Sequence, residues 1–202
     1  MTSQAIRDPV KDPLLTPQNS ALIVIDYQPV QVDSIASMPR RTLVSNILSV
    51  ARTARLYGLP VVLSTVNVKT GINQPTIPQL QEVLQGVESY DRTSINAWED
   101  VEFVRAVRAT GRKKLIMTAL WTEACLAYPT LDAMREGYEV YPVVDAVGGT
   151  SPEAHLAALE RVAQAGAQLV SWVQLICELQ RDWQRKETAA EFSKILFAVV
   201  GR

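Results

Sequence analysis

"KKLIMTALWTEACLAYPTLDAMREGYEVYPVVDA", Lys113 to Ala146, contains one complete unit of a fold. Lys114 to Leu120 is an apolar run without polar alternation, the pattern of a parallel strand covered on both faces. Glu123 to Glu136 has helical spacing and ends before Gly137, where a helix C-cap favours a residue of positive φ. Tyr138 to Ala146 reads as the next strand. A strand, a helix and a second strand in that order make a right-handed crossover between parallel strands.

The same alternation extends outward along the chain. Ala21 to Asp26, Leu59 to Thr65 and Ala167 to Trp172 read as further strands, and Thr42 to Tyr57, Trp98 to Thr110 and Pro152 to Ala165 as helices, with Gly58, Gly111 and Gly166 at their ends. Strands alternating with helices predict a three-layer α/β/α sandwich around a mainly parallel, doubly wound sheet. Residues 1–202 read as one domain, with a Pro-bearing N-terminal arm over 1–18 and an extra amphipathic helix over 187–200.

Composition removes several classes of function. The chain has 20 Lys and Arg against 21 Asp and Glu, a net charge of −1 and 48% apolar residues, so it lacks the basic excess that draws nucleic acid. No apolar run reaches the ~18 residues of a membrane span, and "MTSQAIRDPVKDPLLTPQNS" lacks the layout of a signal peptide, which predicts a cytoplasmic chain with no membrane partner. The first strand is followed by "DYQPVQVD", with no glycine loop to cradle phosphates.

In a doubly wound fold, ligands bind at the carboxyl ends of the strands. Asp26 closes the first strand and Cys125 lies five residues beyond the third, so both belong to that edge; Lys113 and Lys114 belong to the opposite one. By itself Asp26 suits a turn or cap, and Cys125 a buried filler. With Thr122 as N-cap, however, Cys125 falls in the first helical turn, whose free N–H groups lower a thiol's pKa. Pro129 lacks the N–H that would bond the Cys125 carbonyl, which predicts a kink there. Cys177 reads as buried filler within a helix.

"VIDYQ", the stretch from "SINAWEDVEF" through "ALWTEACLAYP" to "VVDAVGG", and "AQAGAQLVSW" together resemble the isochorismatase-like cysteine hydrolases, over about Ala21 to Trp183. The resemblance is to a branch of octameric members with no assigned substrate. It implies hydrolysis of an amide-type or related C–N bond of a small molecule through an acyl-thioester, with Asp26 as general base and Cys125 as nucleophile. It also implies a cis peptide between Leu120 and Trp121, with the N–H groups of Trp121 and Cys125 as oxyanion donors.

The family's usual lysine is matched here by Arg92 in "YDRTSINAW". Arginine does not shuttle protons, but it stabilises anions. Lys69 in "NVKTG" is a runner-up for a lysine role. Because of the Arg92 substitution, a non-catalytic or redox-sensing scaffold on the same fold stays open as the alternative.

Trp98, Trp121, Tyr27 and Gln28 are candidates for the pocket, the two tryptophans equally for the core. No cofactor is expected. No metal is expected either, since the only histidine, His155, has no ligand-spaced neighbour. The resemblance implies a homo-oligomer, an octamer ahead of a dimer, with Trp121 near a neighbouring subunit. Phe192, Ile195, Leu196 and Val199 form an apolar face that suits the contact.

Overall fold

A computed structural model describes residues 7–199; residues 1–6 of the expected arm and residue 200 of the closing helix lie outside it. Five strands form one parallel sheet: β1 (Ser20–Ile25), β2 (Val61–Val66), β3 (Ser89–Arg92), β4 (Lys114–Ala119) and β5 (Glu139–Pro142), in the order β3-β2-β1-β4-β5. Strand β1 is buried throughout. Leu22 and Val24 enter one apolar cluster and Ala21, Ile23 and Ile25 another, as the two-residue period of a strand covered on both faces requires.

The first cluster packs against helices α2 (Arg40–Leu56), α3 (Pro78–Val83), α7 (Trp172–Gln180) and α8 (Lys186–Val199). The second packs against α4 (Val101–Ala109), α5 (Ala127–Arg135) and part of α6 (Pro152–Gln164). A short helix, α1 (Pro29–Asp33), follows β1. The chain runs outward from β1 through β2 to β3, then returns to β4 on the other side of β1. The strand order therefore reverses between β1 and β4, and that switch point, at the carboxyl edge, is where an open α/β sheet binds ligands.

Several expectations need correction. The stretch Ala167 to Trp172 is not a strand; only Val170 bridges to Val143, and Ser171 caps α7 by accepting the Gln174 N–H. The sheet's remaining strand is instead β3, Ser89–Arg92, a four-residue edge strand with only Arg92 buried, too short and too polar to leave an apolar signal.

Cys177 is exposed, because α7 buries Trp172, Leu175, Ile176 and Leu179 on its other side. The α8 face does not await a partner. Phe192, Ile195 and Leu196 are buried within the chain, with α8 packed on α2 and α7, while the Val199 side chain lies outside the described residues. The N-terminal arm is also packed: Leu15 is fully buried and its N–H donates to the Glu178 carboxylate. Among the described residues, no helix is long and apolar enough to cross a membrane.

Candidate active site

Asp26 is the residue after β1, and it has φ 61°. Aspartate is among the few non-glycine residues that tolerate this left-handed region, and such outliers cluster at working sites. Arg92 ends β3, two strands away. Its guanidinium meets the Asp26 carboxylate with two parallel hydrogen bonds, Nη1 to Oδ1 at 2.8 Å and Nη2 to Oδ2 at 2.7 Å, and both side chains have zero exposure. The fork is fixed further by Nη1 donating to Ser64 Oγ at 3.0 Å and to the Thr65 carbonyl at 3.1 Å, and by Nη2 donating to the Ile95 carbonyl at 3.2 Å. A buried pair with this many bonds is held in one geometry, and removing either partner would strand a charge. Ser64 and the loop at Ile95 were not singled out in the sequence, although a serine inside the apolar run "LPVVLST" was a usable signal.

Cys125 sits beside this pair on a π turn, Thr122–Leu126, that precedes α5. The turn is wide because Leu126 N–H bonds the Trp121 carbonyl and Ala127 N–H the Thr122 carbonyl, each five residues back. Pro129 lies in α5 without an N–H to offer, and the irregularity expected there is taken up one turn earlier, at the cysteine. Thr122 is not the N-cap. Trp121 has that position, and the Thr122 hydroxyl is bonded to His155 Nδ1 at 2.8 Å. The Leu120–Trp121 peptide is cis.

The expected lowering of the Cys125 pKa is also overturned. Burial first, then the charge and hydrogen bond of Asp26, push the thiol up to about 12, while Arg92 and the Trp121 N–H pull downward without prevailing. Cys125 is buried, in a site already holding a carboxylate, and this outweighs the helix-start effect. Arg92 itself is raised: burial would lower it, but its bonds and charge contact with Asp26 prevail.

The remaining candidates fall elsewhere. Tyr27 is fully buried, donates its hydroxyl to the Ala146 carbonyl at 2.5 Å and has its phenol pKa pushed up by burial, so it is a core residue. Gln28 has zero exposure and acts as a clamp, Nε2 donating to the Val66 and Gln74 carbonyls while Oε1 accepts the Val66 N–H.

Trp98 stacks edge-on with Phe103 and Tyr138 and donates its indole N–H to Glu136. The cleft it lines, about 430 Å³, is shared with Arg105, Arg108 and Glu136 rather than with Cys125. Trp121 is half-buried, its indole N–H bonded to Ser34 Oγ at 2.6 Å just past α1. Lys69 is exposed, and its backbone N–H is bonded to Asp91; since Asp91 and Arg92 are successive on β3, Lys69 is served by the opposite face from the ion pair. Among the described residues, no group of three or more His, Cys, Asp or Glu side chains is arranged to hold a metal.

The isochorismatase domain family matches residues 20–174. The probable hydrolase YcaC of Escherichia coli (strain K12) is 36% identical over 171 residues, covering 84% of this chain and 82% of that protein. A solved structure of YcaC from Pseudomonas aeruginosa, with hexane-2,5-diol and covalent acrylamide, superposes with a TM-score of 0.87 at 35% identity, covering 93% of this chain and 92% of that one. The E. coli YcaC structure, described as an octameric hydrolase of unknown specificity, gives 0.83 at 31% identity, covering 93% and 96%. The chain belongs to the isochorismatase family, and it is a hydrolase.

Proposed function

We propose that this isochorismatase-family hydrolase cleaves an amide-type or related C–N bond of a small molecule through an acyl-thioester on Cys125, with Asp26 as general base and Arg92 as fixed counter-charge. The observation that carries the reading is the fully buried, two-bond Arg92–Asp26 pair beside the Cys125 thiol at the switch point of the sheet.

The thiol is protonated at rest, so its proton passes to Asp26 as sulfur attacks the acyl carbon. Before transfer, Arg92 neutralises the carboxylate; after it, Arg92 neutralises the developing thiolate. The net charge of the buried site stays constant, which avoids the large cost of an unpaired ion in a dry pocket. The carbonyl oxygen becomes an oxyanion facing the Trp121 and Cys125 N–H groups, each donor contributing about 3 kcal/mol. As the C–N bond breaks, Asp26 returns the proton to the leaving nitrogen. In the second half, Asp26 takes a proton from water as hydroxide adds to the thioester, and the expelled sulfur regains it. One proton carrier therefore serves both halves, and arginine's inability to exchange protons leaves the cycle balanced.

A redox-sensing role fits less well, because a sensor thiol is accessible and of low pKa, whereas Cys125 is buried with its pKa raised. No cofactor or metal enters the scheme. By likeness to the octameric YcaC structure we also propose a homo-oligomer, with an octamer favoured.

The test is a screen of amides, imides and carbamates against wild type and Cys125→Ala, with intact-mass detection of an acylated chain. The expected result is an acyl adduct on wild type and no turnover by the variant. Turnover surviving in Cys125→Ala would end the acyl-thioester reading.

A further inference from the structure

The Cys125 sulfur is hydrogen-bonded with Asp26 and the Trp121 N–H. The turn that carries it is held from outside, by the segment leading into α6. The Thr122 N–H donates to the Gly148 carbonyl at 2.9 Å, and the Thr122 hydroxyl is bonded to His155 Nδ1 at 2.8 Å. Glu123 Oε1 accepts both the N–H of Thr150 at 3.0 Å and its hydroxyl at 2.6 Å. Thr122 has zero exposure and His155 is 9% exposed.

The fit leaves no slack. A Cβ on Gly149 would fall 2.7 Å from Glu123 Oε2 and 3.0 Å from His155 Cβ, so the backbone there approaches as closely as only glycine permits. His155 is the only histidine of the chain. It touches neither Asp26 nor Arg92 in any hydrogen bond or ion pair described, and the chemistry proposed above does not use it. Its pKa is lowered by burial, with Glu123 pulling weakly the other way, so the ring stays neutral near neutral pH.

We infer that His155 is a positioning residue: through its bond to Thr122 it fixes the rotation of the π turn, and so sets where the Cys125 sulfur and the Cys125 N–H lie relative to Asp26 and Arg92. A π turn has a different residue count per turn from the α5 helix that follows, so without an external anchor at its first residue the turn can relax toward α-helical winding and rotate Cys125. Thr122 is that first residue, three positions before the sulfur. The hydrogen bond to His155 is the side-chain anchor, and the bond to Gly148 is the backbone one.

The inference rests on Cys125 being the reactive thiol, and its test needs no substrate. Alkylation by acrylamide is followed by peptide mass mapping, which reads Cys125 and Cys177 separately; Cys177, exposed on another helix, is an internal reference that no change in the turn should move. Thr122→Val keeps the shape and removes the hydroxyl. We expect Cys125 alkylation to change at least tenfold, with Cys177 unchanged, and Thr122→Ser to restore the wild-type rate.

His155→Asn, whose side-chain amide can present either a donor or an acceptor near the Nδ1 position, is expected to behave like wild type, and His155→Leu like Thr122→Val. Should Thr122→Val fail to fold, the His155 pair tests the same bond from its other end. An unchanged Cys125 rate in Thr122→Val and His155→Leu overturns the inference, as does equal perturbation of both cysteines, which would mean general loosening. A Cys125 that never reacts in wild type, on hours of exposure, counts instead against the nucleophile reading itself.

Discussion

Two cations are buried at opposite edges of the same sheet, and their partners differ in kind. At the amino edge, Lys114 begins β4 and is 4% exposed; its ammonium donates to the carbonyls of Asp12, Pro13 and Leu14 at 2.8, 2.6 and 3.4 Å, with Glu139 at 3.7 Å. At the carboxyl edge, Arg92 is 3% exposed and is matched to a carboxylate through two parallel bonds. Three dipoles close a latch on the N-terminal arm and have no proton to exchange. A carboxylate beside a thiol has one. The amino edge holds, and in the chemistry proposed above the carboxyl edge holds while a proton moves between two neighbouring groups. Irregular backbone occurs at both edges: the positive φ of Asp26 and the π turn lie at the carboxyl edge, while Arg181, with φ 64°, ends α7 where its guanidinium meets Asp12 and the Leu15 carbonyl of the N-terminal arm.

The largest expected break in this contrast is Arg92→Met. It leaves Asp26 buried without its counter-charge, which costs about 3–5 kcal/mol of stability. Denaturant unfolding should show the loss, and any turnover found for wild type should vanish. The double variant Arg92→Met with Asp26→Leu should regain most of the stability and none of the activity. A single variant as stable as wild type would mean that the pair is not a closed unit.

Lys114→Met is the matching change at the other edge and should cost less, about 2 kcal/mol, because its three hydrogen-bond acceptors are neutral carbonyls and its one charged neighbour, Glu139, is exposed to solvent. The Asn19 side chain already donates to two of them, Asp12 at 3.2 Å and Leu14 at 3.0 Å. Hydrogen exchange should report lost protection over residues 12–19. Alkylation of Cys125 should be unchanged once the folded fraction is accounted for. A changed Cys125 rate would show that the two edges are coupled and the contrast too sharp.

How much of this was legible follows the same split. Strands β1, β2 and β4 announce themselves because both faces are buried and each carries a run of consecutive apolar residues without polar alternation. Asp26 and Cys125 were reachable from there by asking which residues end on the carboxyl edge. Arg92 came only through family resemblance, since its strand, "SYDR", is short, polar and at the sheet's edge. The acidity of Cys125 was misjudged because the sequence displays the helix start but not the depth of burial, which is the largest influence on the thiol, ahead of the Asp26 carboxylate. Tyr27 and Gln28 follow Asp26 directly, yet burial turns one into a core residue and the other into a clamp, and neither outcome has a local signal. The α8 face was read as unclaimed because nothing in its sequence reveals the groove that α2 and α7 leave for it.

The contrast sharpens in the pH dependence of rate. With Cys125 pushed up to about 12 and Arg92 raised, neither group titrates below about pH 11, so kcat/KM should have no alkaline limb from them up to pH 10. Arg92→Lys places a titratable ammonium in the same spot and should introduce such a limb, a fall approaching tenfold per pH unit above the lysine's pKa. A limb near pH 9 in wild type would mean that the thiol is far more acidic than its surroundings imply.

The smallest effect expected is on stability in mild alkali, and its sign follows from the proton count. The folded Cys125 titrates near 12, whereas an unfolded chain's thiol titrates near the free value of about 8.5. Between those values the unfolded state has already released a proton that the folded state retains, so the unfolded state binds fewer protons and stability falls as pH rises. The contribution is intact below about pH 8 and is lost progressively above it. At pH 9.5 the loss amounts to about 1.4 kcal/mol. Cys125→Ala removes it, while Cys177 and the buried tyrosines titrate alike in both proteins and cancel. Unfolding free energies for the pair should therefore converge or cross between pH 7.5 and 9.5, with the variant gaining on wild type. Parallel curves would show that the folded thiol ionises as easily as the unfolded one, so that burial beside Asp26 does not hold its proton.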